Sequence, residues 1–223
     1  MKRSIIYAGT SIDQKDAKEI FDTEYRAPIK RGDLYELIRL IKEGEHDFVH
    51  VIGIIDGAFF DRAAVAHKEI MATMDMGIKV VGGCSMGALR AFELADFGMM
   101  GVGDIYHWFK TGELVADDEL AVTYDPQTLR PLSEPLVNIR ETFKAALLRG
   151  VVTEEEYGKL LDVAVAIFYP ERTYKNIMNH VEEQDILSNK ALGELRSFIM
   201  HSAVDIKRDD AVRVIKKVAE MCM

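Results

Sequence analysis

The sequence predicts an α/β fold: an N-terminal, mostly parallel sheet with flanking helices, followed by an all-helical C-terminal portion. Three observations predict it. Short apolar runs at Ser4–Ala8, Phe48–Ile55 and Ile78–Val81 alternate with stretches of helical periodicity. The central run, Phe48–Ile55 (FVHVIGII), is almost continuously apolar, as a strand covered on both faces must be. After Ser133 strand signals vanish. Strand–helix alternation of this kind gives a parallel sheet with right-handed crossovers.

Taken in order, Ser4–Ala8 is a strand that stops at Gly9-Thr10-Ser11. Asp13–Phe21 is helical. Tyr25–Gly32, with Pro28 and Gly32, reads as a loop. Asp33–Lys42 places Leu34, Leu37, Ile38 and Ile41 at helical spacing, and Gly44 ends the helix. Phe48–Ile55 ends at Asp56-Gly57. A further helix is expected from Asp61 to about Met76, stopped by Gly77, before the strand Ile78–Val81. Gly82–Gly87 is a turn, with a helix over Ala88–Ala95 after it. Phe97–Gly103 is a glycine-rich loop, Ile105–Lys110 a short helix and Leu120–Tyr124 a strand. Helices are expected near Ser133–Leu148, Thr153–Tyr169, Tyr174–Glu183, Lys190–His201 and Asp209–Met221, the second opening on a capping box at Thr153-Glu154-Glu155-Glu156. The expected division is an α/β core over 1–130 and a helical region over 131–223, packed on the core or standing as a small subdomain.

Composition narrows the function classes. With 48% apolar and 29% charged residues the chain of 223 residues is an ordinary globular protein. Its net charge of −9 argues against non-specific nucleic-acid binding and against adhesion to an anionic membrane. Cys84 and Cys222 are the only cysteines and lie in neither a disulfide framework nor a zinc-ligand pattern. No metal is expected. No apolar run approaches the length of a membrane span, and glycine stops the first one early, so the protein is expected to be cytoplasmic.

Gly83-Cys84-Ser85-Met86-Gly87 is a Gly-x-Ser-x-Gly on a turn from strand to helix. That context presents the Ser85 hydroxyl at the sheet edge, with the amides of Met86 and Gly87 and the helix N-terminus available to an oxyanion. The alternative is a partner- or phosphate-binding turn whose serine caps the helix. A full Ser-His-Asp hydrolase does not fit, because His107, His180 and His201 follow in no triad context. A lysine base is the other option, and it must be neutral to accept a proton. Lys68, about seven residues into its expected helix and so roughly 10 Å from the helix start, is the best placed. Helical spacing puts Ala63, Ala66, His67, Ile70 and Met74 on the apolar face and Lys68 on the flank. His67 is then a core histidine or a supporting group, and Lys68 a solvated lysine or a base. Asp56, beside Gly57 at the sheet edge, either orients a base or substrate or caps nearby turn amides. Gly9, Thr10 and Ser11 can offer amides or hydroxyls to the same crevice. Arg90 either holds a carboxylate or pairs with Glu93. Cys84 reads as a small buried hydrophobe. There is no Gly-x-x-x-x-Gly-Lys-Ser/Thr and no Gly-x-Gly-x-x-Gly after the first strand, so no nucleotide cofactor is expected.

Several stretches together resemble the TfuA-like proteins: Ile54-Ile55-Asp56-Gly57-Ala58-Phe59-Phe60, His67-Lys68-Glu69-Ile70 and Gly83-Cys84-Ser85-Met86-Gly87-Ala88-Leu89-Arg90-Ala91. The match continues in Phe97–Gly103, Asp117–Val122 and Ser133–Arg140 and covers about the first two-thirds of the chain. The resemblance implies an accessory protein that works beside a YcaO enzyme in peptide backbone thioamidation. It implies a ThiS-type sulfur-carrier protein as second partner, whose C-terminal thiocarboxylate is hydrolysed by a Ser–Lys pair, here Ser85 and Lys68, to release sulfide. ATP would belong to the YcaO partner. A non-catalytic adaptor binding the same partners, and a general serine hydrolase of small esters or amides, are the alternatives.

Overall fold

The computed structural model describes residues 2–59 and 63–223. The chain forms two compact units, one of Met1–Val115 with Lys207–Met223 and one of Ala116–Ile206. The first unit alternates β1 (Ser4–Tyr7), α1 (Gln14–Ile20), β2 (Glu24–Arg26), α2 (Asp33–Glu43), β3 (Val51–Ile54), α3 (His67–Asp75), β4 (Lys79–Gly82), α4 (Met86–Glu93), β5 (Met100–Gly101) and α5 (Asp104–Thr111). The second holds α6 (Leu136–Leu148), α7 (Glu154–Ala166), α8 (Tyr174–Glu183) and α9 (Asn189–Ser202). The chain then returns to the first unit as α10 (Ile206–Cys222).

The sheet is parallel throughout, in the order β2-β1-β3-β4-β5. Strand alternation sorts its side chains into two layers, since successive residues face opposite ways. Ile5, Tyr7, Ile52, Ile54 and Val80 face α2, α3 and α4, meeting Leu34, Leu37, Ile70, Met86 and Ala91. Ile6, Ala8, Val51, Ile55 and Val81 face α1 and α10, meeting Ala17, Ala211, Val214 and Val218. The strand order reverses direction between β1 and β3, and in open α/β sheets the carboxyl edge at that reversal is where ligands bind.

The expected α/β class with a helical C-terminal region is therefore what the chain adopts, while several elements differ. The loop expected over Tyr25–Gly32 begins inside β2, a three-residue edge strand that one parallel neighbour suffices to hold. The glycine-rich loop contains β5, too short to carry a periodic signal. Leu120–Tyr124 is not a strand: Asp117–Leu120 is a 3₁₀ turn, and Tyr124 makes an isolated bridge with Pro131. The expected helix start at Asp61 lies outside the described residues. Ala63–Ala66 are not helical, and α3 begins at His67. The division of the chain also falls elsewhere than residue 130: it lies at Ala116, and the terminal helix belongs with the sheet. The physical reason is the second face of the sheet. Among the described residues the helices that cover it are α1 and α10, and the apolar stripe Ala211, Val214, Val218, Cys222 of α10 completes that layer.

The helical unit has its own core around Phe143, Leu160, Ile177 and Leu195. Its α7 opens on the expected capping box, with Glu156 N donating to Thr153 Oγ1 at 3.3 Å and Thr153 N to Glu156 Oε2 at 2.8 Å. Among the described residues no helix is long and apolar enough to cross a membrane.

Candidate functional site at the carboxyl edge of the sheet

The turn after β4 is built by close approach. Gly83 N donates to Ile54 O at 3.2 Å and Gly87 N to Ile55 O at 3.3 Å, which draws the start of α4 against β3. A Cβ on Gly87 would overlap the Ile54 carbonyl, and one on Gly83 would lie 2.5 Å from Val102 O and 2.6 Å from Val214. Only glycine fits either place. Between them Ser85 N donates to Gly83 O at 3.0 Å around Cys84, whose φ is 70°. That is a γ-turn of the rare left-handed kind, and a non-glycine residue held there stores backbone strain of about 1–3 kcal/mol. Ser85 follows with φ −112° and ψ −120° as the N-cap of α4.

Ser85 is buried, and its side chain makes no capping bond to α4. The helix-capping alternative thus loses its hydrogen bond. Among the described residues the Met86 amide has no acceptor, so one N–H at the start of α4 stays open beside the serine. The Gly87 amide, expected to join it, is engaged by Ile55 O. Cys84 turns to the opposite sheet face, in the layer of α10. Burial pushes its thiol well above the usual range, Asp56 adds to that, and Lys207 opposes it. A thiol so protonated is inert, in keeping with the expected small buried hydrophobe.

At the β1–β3 reversal the chain fills the crevice with its own carboxylate. Asp56 accepts from the amides of Gly9, Thr10 and Ser11 at 2.9, 3.0 and 2.9 Å. The Thr10 and Ser11 hydroxyls add bonds of 2.8 and 2.5 Å. Both oxygens are occupied and Asp56 is fully buried. Of its two sequence readings, the turn-capping one describes this geometry. The amides of Gly9, Thr10 and Ser11, offered to an oxyanion in the sequence reading, all point at Asp56. Gly57 packs under Met86, where a Cβ would lie 2.8 Å from its side chain.

Lys68 is the second residue of α3 rather than the seventh, because the helix starts late. In a parallel sheet the crossover helix starts at the carboxyl edge, so Lys68 lies at the same edge as the Ser85 turn without descending the helix. Its side chain is exposed. His67 is not a core histidine: it is 46% exposed and its Nε2 lies 2.8 Å from Glu93 Oε2. Arg90 donates Nη1 to the same oxygen at 2.5 Å and Nε to Val65 O at 2.9 Å, which is the expected pairing with Glu93. Together these bonds tie α4 to the segment leading into α3. Buried Glu69 secures that segment from the other side, accepting from Gly32 N at 2.8 Å and Ala66 N at 3.2 Å.

Two polar residues of this edge escaped sequence reasoning, both on α10. Asp210 accepts from Asp104 N and Ile105 N, each at 2.9 Å, and so caps α5. Gly103 makes room for it, since a Cβ there would overlap the carboxylate. Lys207 is buried one turn earlier. The stripe Ala211, Val214, Val218, Cys222 extended upstream by four residues lands on Lys207, a lysine where the period demands an apolar side chain. That is the signal that marks it.

The sequence pattern of the TfuA-like proteins matches residues 56–173, from Asp56 through the Ser85 turn into the helical unit. The match spans more than half of the chain. This protein belongs to the TfuA-like family. At the level of that family its role lies in YcaO-associated thioamidation, with a YcaO enzyme as partner. No curated protein matches this TfuA-like chain in sequence. Among its described residues no cluster of three or more His, Cys, Asp or Glu side chains is arranged to hold a metal ion.

Proposed function

We propose that this TfuA-like protein hydrolyses the C-terminal thiocarboxylate of a ThiS-type sulfur carrier and hands the sulfide to its YcaO partner. One observation carries the reading: a buried serine with no capping bond, on a strained strand-to-helix turn, next to an amide that has no acceptor among the described residues. Ser85 Oγ attacks the thiocarboxylate carbon while a lysine takes its proton. The Met86 N–H receives the developing oxyanion. The C–S bond breaks as the lysine returns that proton to the sulfur, hydrosulfide leaves and an ester to Ser85 remains. Water then attacks that ester, giving the carrier's carboxylate and restoring the serine. The lysine of the pair, by the family resemblance, is Lys68 at the start of α3. The near-complete burial of Ser85 suits an extended peptide tail, which is narrow enough to reach it where a folded surface is not. No step calls for a nucleotide, in line with a chain that lacks nucleotide motifs.

The test is sulfide release from a thiocarboxylated carrier protein. Ser85→Ala is expected to lower the rate by about 10³-fold or more, and Lys68→Ala by about 10²-fold, with thermal melting as the check on folding. Release that survives Ser85→Ala removes the hydrolase. No release from wild type, combined with binding of the carrier, leaves a non-catalytic adaptor.

A further inference from the structure

The hydrolase reading leaves one electrostatic demand unmet. A thiocarboxylate is an anion at neutral pH, and attack by a serine oxygen adds negative charge to a group already negative. The site needs a cation held out of water beside the serine, where its field is least screened. Lys68 is exposed.

The geometry of α10 supplies the missing cation. Its far end lies at the amino edge of the sheet, where Lys2 N donates to Cys222 O at 3.2 Å. Val218 then packs on mid-sheet, 3.0 Å from where a Cβ of Gly53 would be. Val214 packs on Gly83, at the carboxyl end of β4, and the Asp210 carboxylate sits on Gly103 beyond it. The helix therefore climbs the sheet face toward the carboxyl edge as residue numbers fall. Lys207 lies seven residues above Val214, hence about 10 Å further along the axis and within about 20° of the same azimuth. That puts it past the end of β4, over the turn that carries Ser85. Its relative exposure is 3%, the only lysine so enclosed among the described residues. The Cys84 thiol, one residue from Ser85, feels its positive charge.

We propose that Lys207 is the cation that receives the anionic thio acid at Ser85. On this view, which rests on the hydrolase reading, Lys207 sets specificity. It neutralises the thiocarboxylate on arrival and faces the sulfur as the C–S bond breaks, so that sulfide leaves beside an ammonium rather than into an apolar wall. Neutral acyl groups gain nothing from it.

The test compares two reactions of the full chain: sulfide release from the thiocarboxylated carrier, and acylation of Ser85 by a neutral fluorophosphonate, read by mass spectrometry. For Lys207→Met the ratio of the first rate to the second is expected to fall about 10²-fold, the usual effect of removing one preorganised electrostatic partner. Lys207→Arg keeps the charge and most of the volume, and is expected to hold the ratio within about tenfold of wild type. Equal losses in both reactions for Lys207→Met would mean a structural role and overturn the proposal, as would no loss in either. If Lys207→Met does not fold, a fall of the Lys207→Arg ratio to about 10²-fold below wild type overturns it. Wild type that labels Ser85 yet releases no sulfide defeats the thiocarboxylate reading itself, and this inference with it.

Discussion

The loops that follow β1 and β4 open at the same edge of the sheet, and both are rich in small residues and backbone amides. They use those amides in opposite ways. After β1, three successive N–H groups and two hydroxyls converge on the buried Asp56 carboxylate. That loop is a closed clamp joining the two strands at the point where the sheet order reverses. After β4, the chain is bent through a left-handed residue, a serine is buried without a capping bond, and the Met86 amide is left open. The difference teaches which of two similar turns is a fastening and which is a site: the fastening satisfies every donor internally, while the site keeps one.

Stability measurements can break this contrast. Asp56→Ala, which orphans three amides and two hydroxyls at once, is expected to cost about 4 kcal/mol in urea denaturation. Gly87→Ala forces a methyl onto the Ile54 carbonyl and is expected to cost about 3 kcal/mol in the same measurement. A loss under half of that would mean the helix start can shift, and that the turn is less rigid than its bonds imply.

A smaller effect depends on pH. Burial pushes the Asp210 carboxyl up to about 6, above the ~3.9 of an unfolded chain. The native state therefore binds this proton more tightly than the unfolded state. The group's contribution to stability is full below about pH 4 and is lost as pH rises through about 6. Asp210→Asn lacks this component, so the wild-type lead in melting temperature over the variant should grow between about pH 6.5 and 4. A constant gap would show that the Asp210 clamp carries no such strain. The smallest effect belongs to Ser85→Ala, expected within about 1 kcal/mol of wild type. Should it equal the loss of Asp56→Ala, the β4 turn is a second fastening and the contrast collapses.

The sequence carried the interior of the sheet better than its margins. β1, β3 and β4 are read from runs of apolar residues because each is buried on both faces. Of the inward positions expected in α2, Leu34, Leu37 and Ile38 are buried and Ile41 is partly buried. Edge strands β2 and β5 went unread, since two or three residues paired on one side need no apolar pattern. The start of α3 was misplaced because Glu69 fixes it, reaching back to the N-cap Ala66, where no Ser, Thr, Asp or Asn marks the start, and across to Gly32 by a tertiary bond. At the edge itself, Ser85 and Asp56 were readable from strand–turn context. The direction of the amides of Gly9–Ser11 was not, because Asp56 lies more than forty residues away from them. Lys207 and Asp210 were hidden for a similar reason. Their helix looks like any amphipathic segment until its stripe is laid against a sheet whose strands precede it by more than a hundred residues.

That long return has a consequence during synthesis. The strands of the sheet leave the ribosome first, then the whole of Ala116–Ile206, and only then α10. At roughly 10 residues per second the growing chain carries the apolar face of Ile6, Val51, Ile55 and Val81 without α10, with α1 as its only helical partner among the described residues, for about ten seconds. Through that interval the half-finished protein is a natural client for chaperones, and a translation stall within the helical unit would leave a species with Ser85 in place and the helix beside it missing.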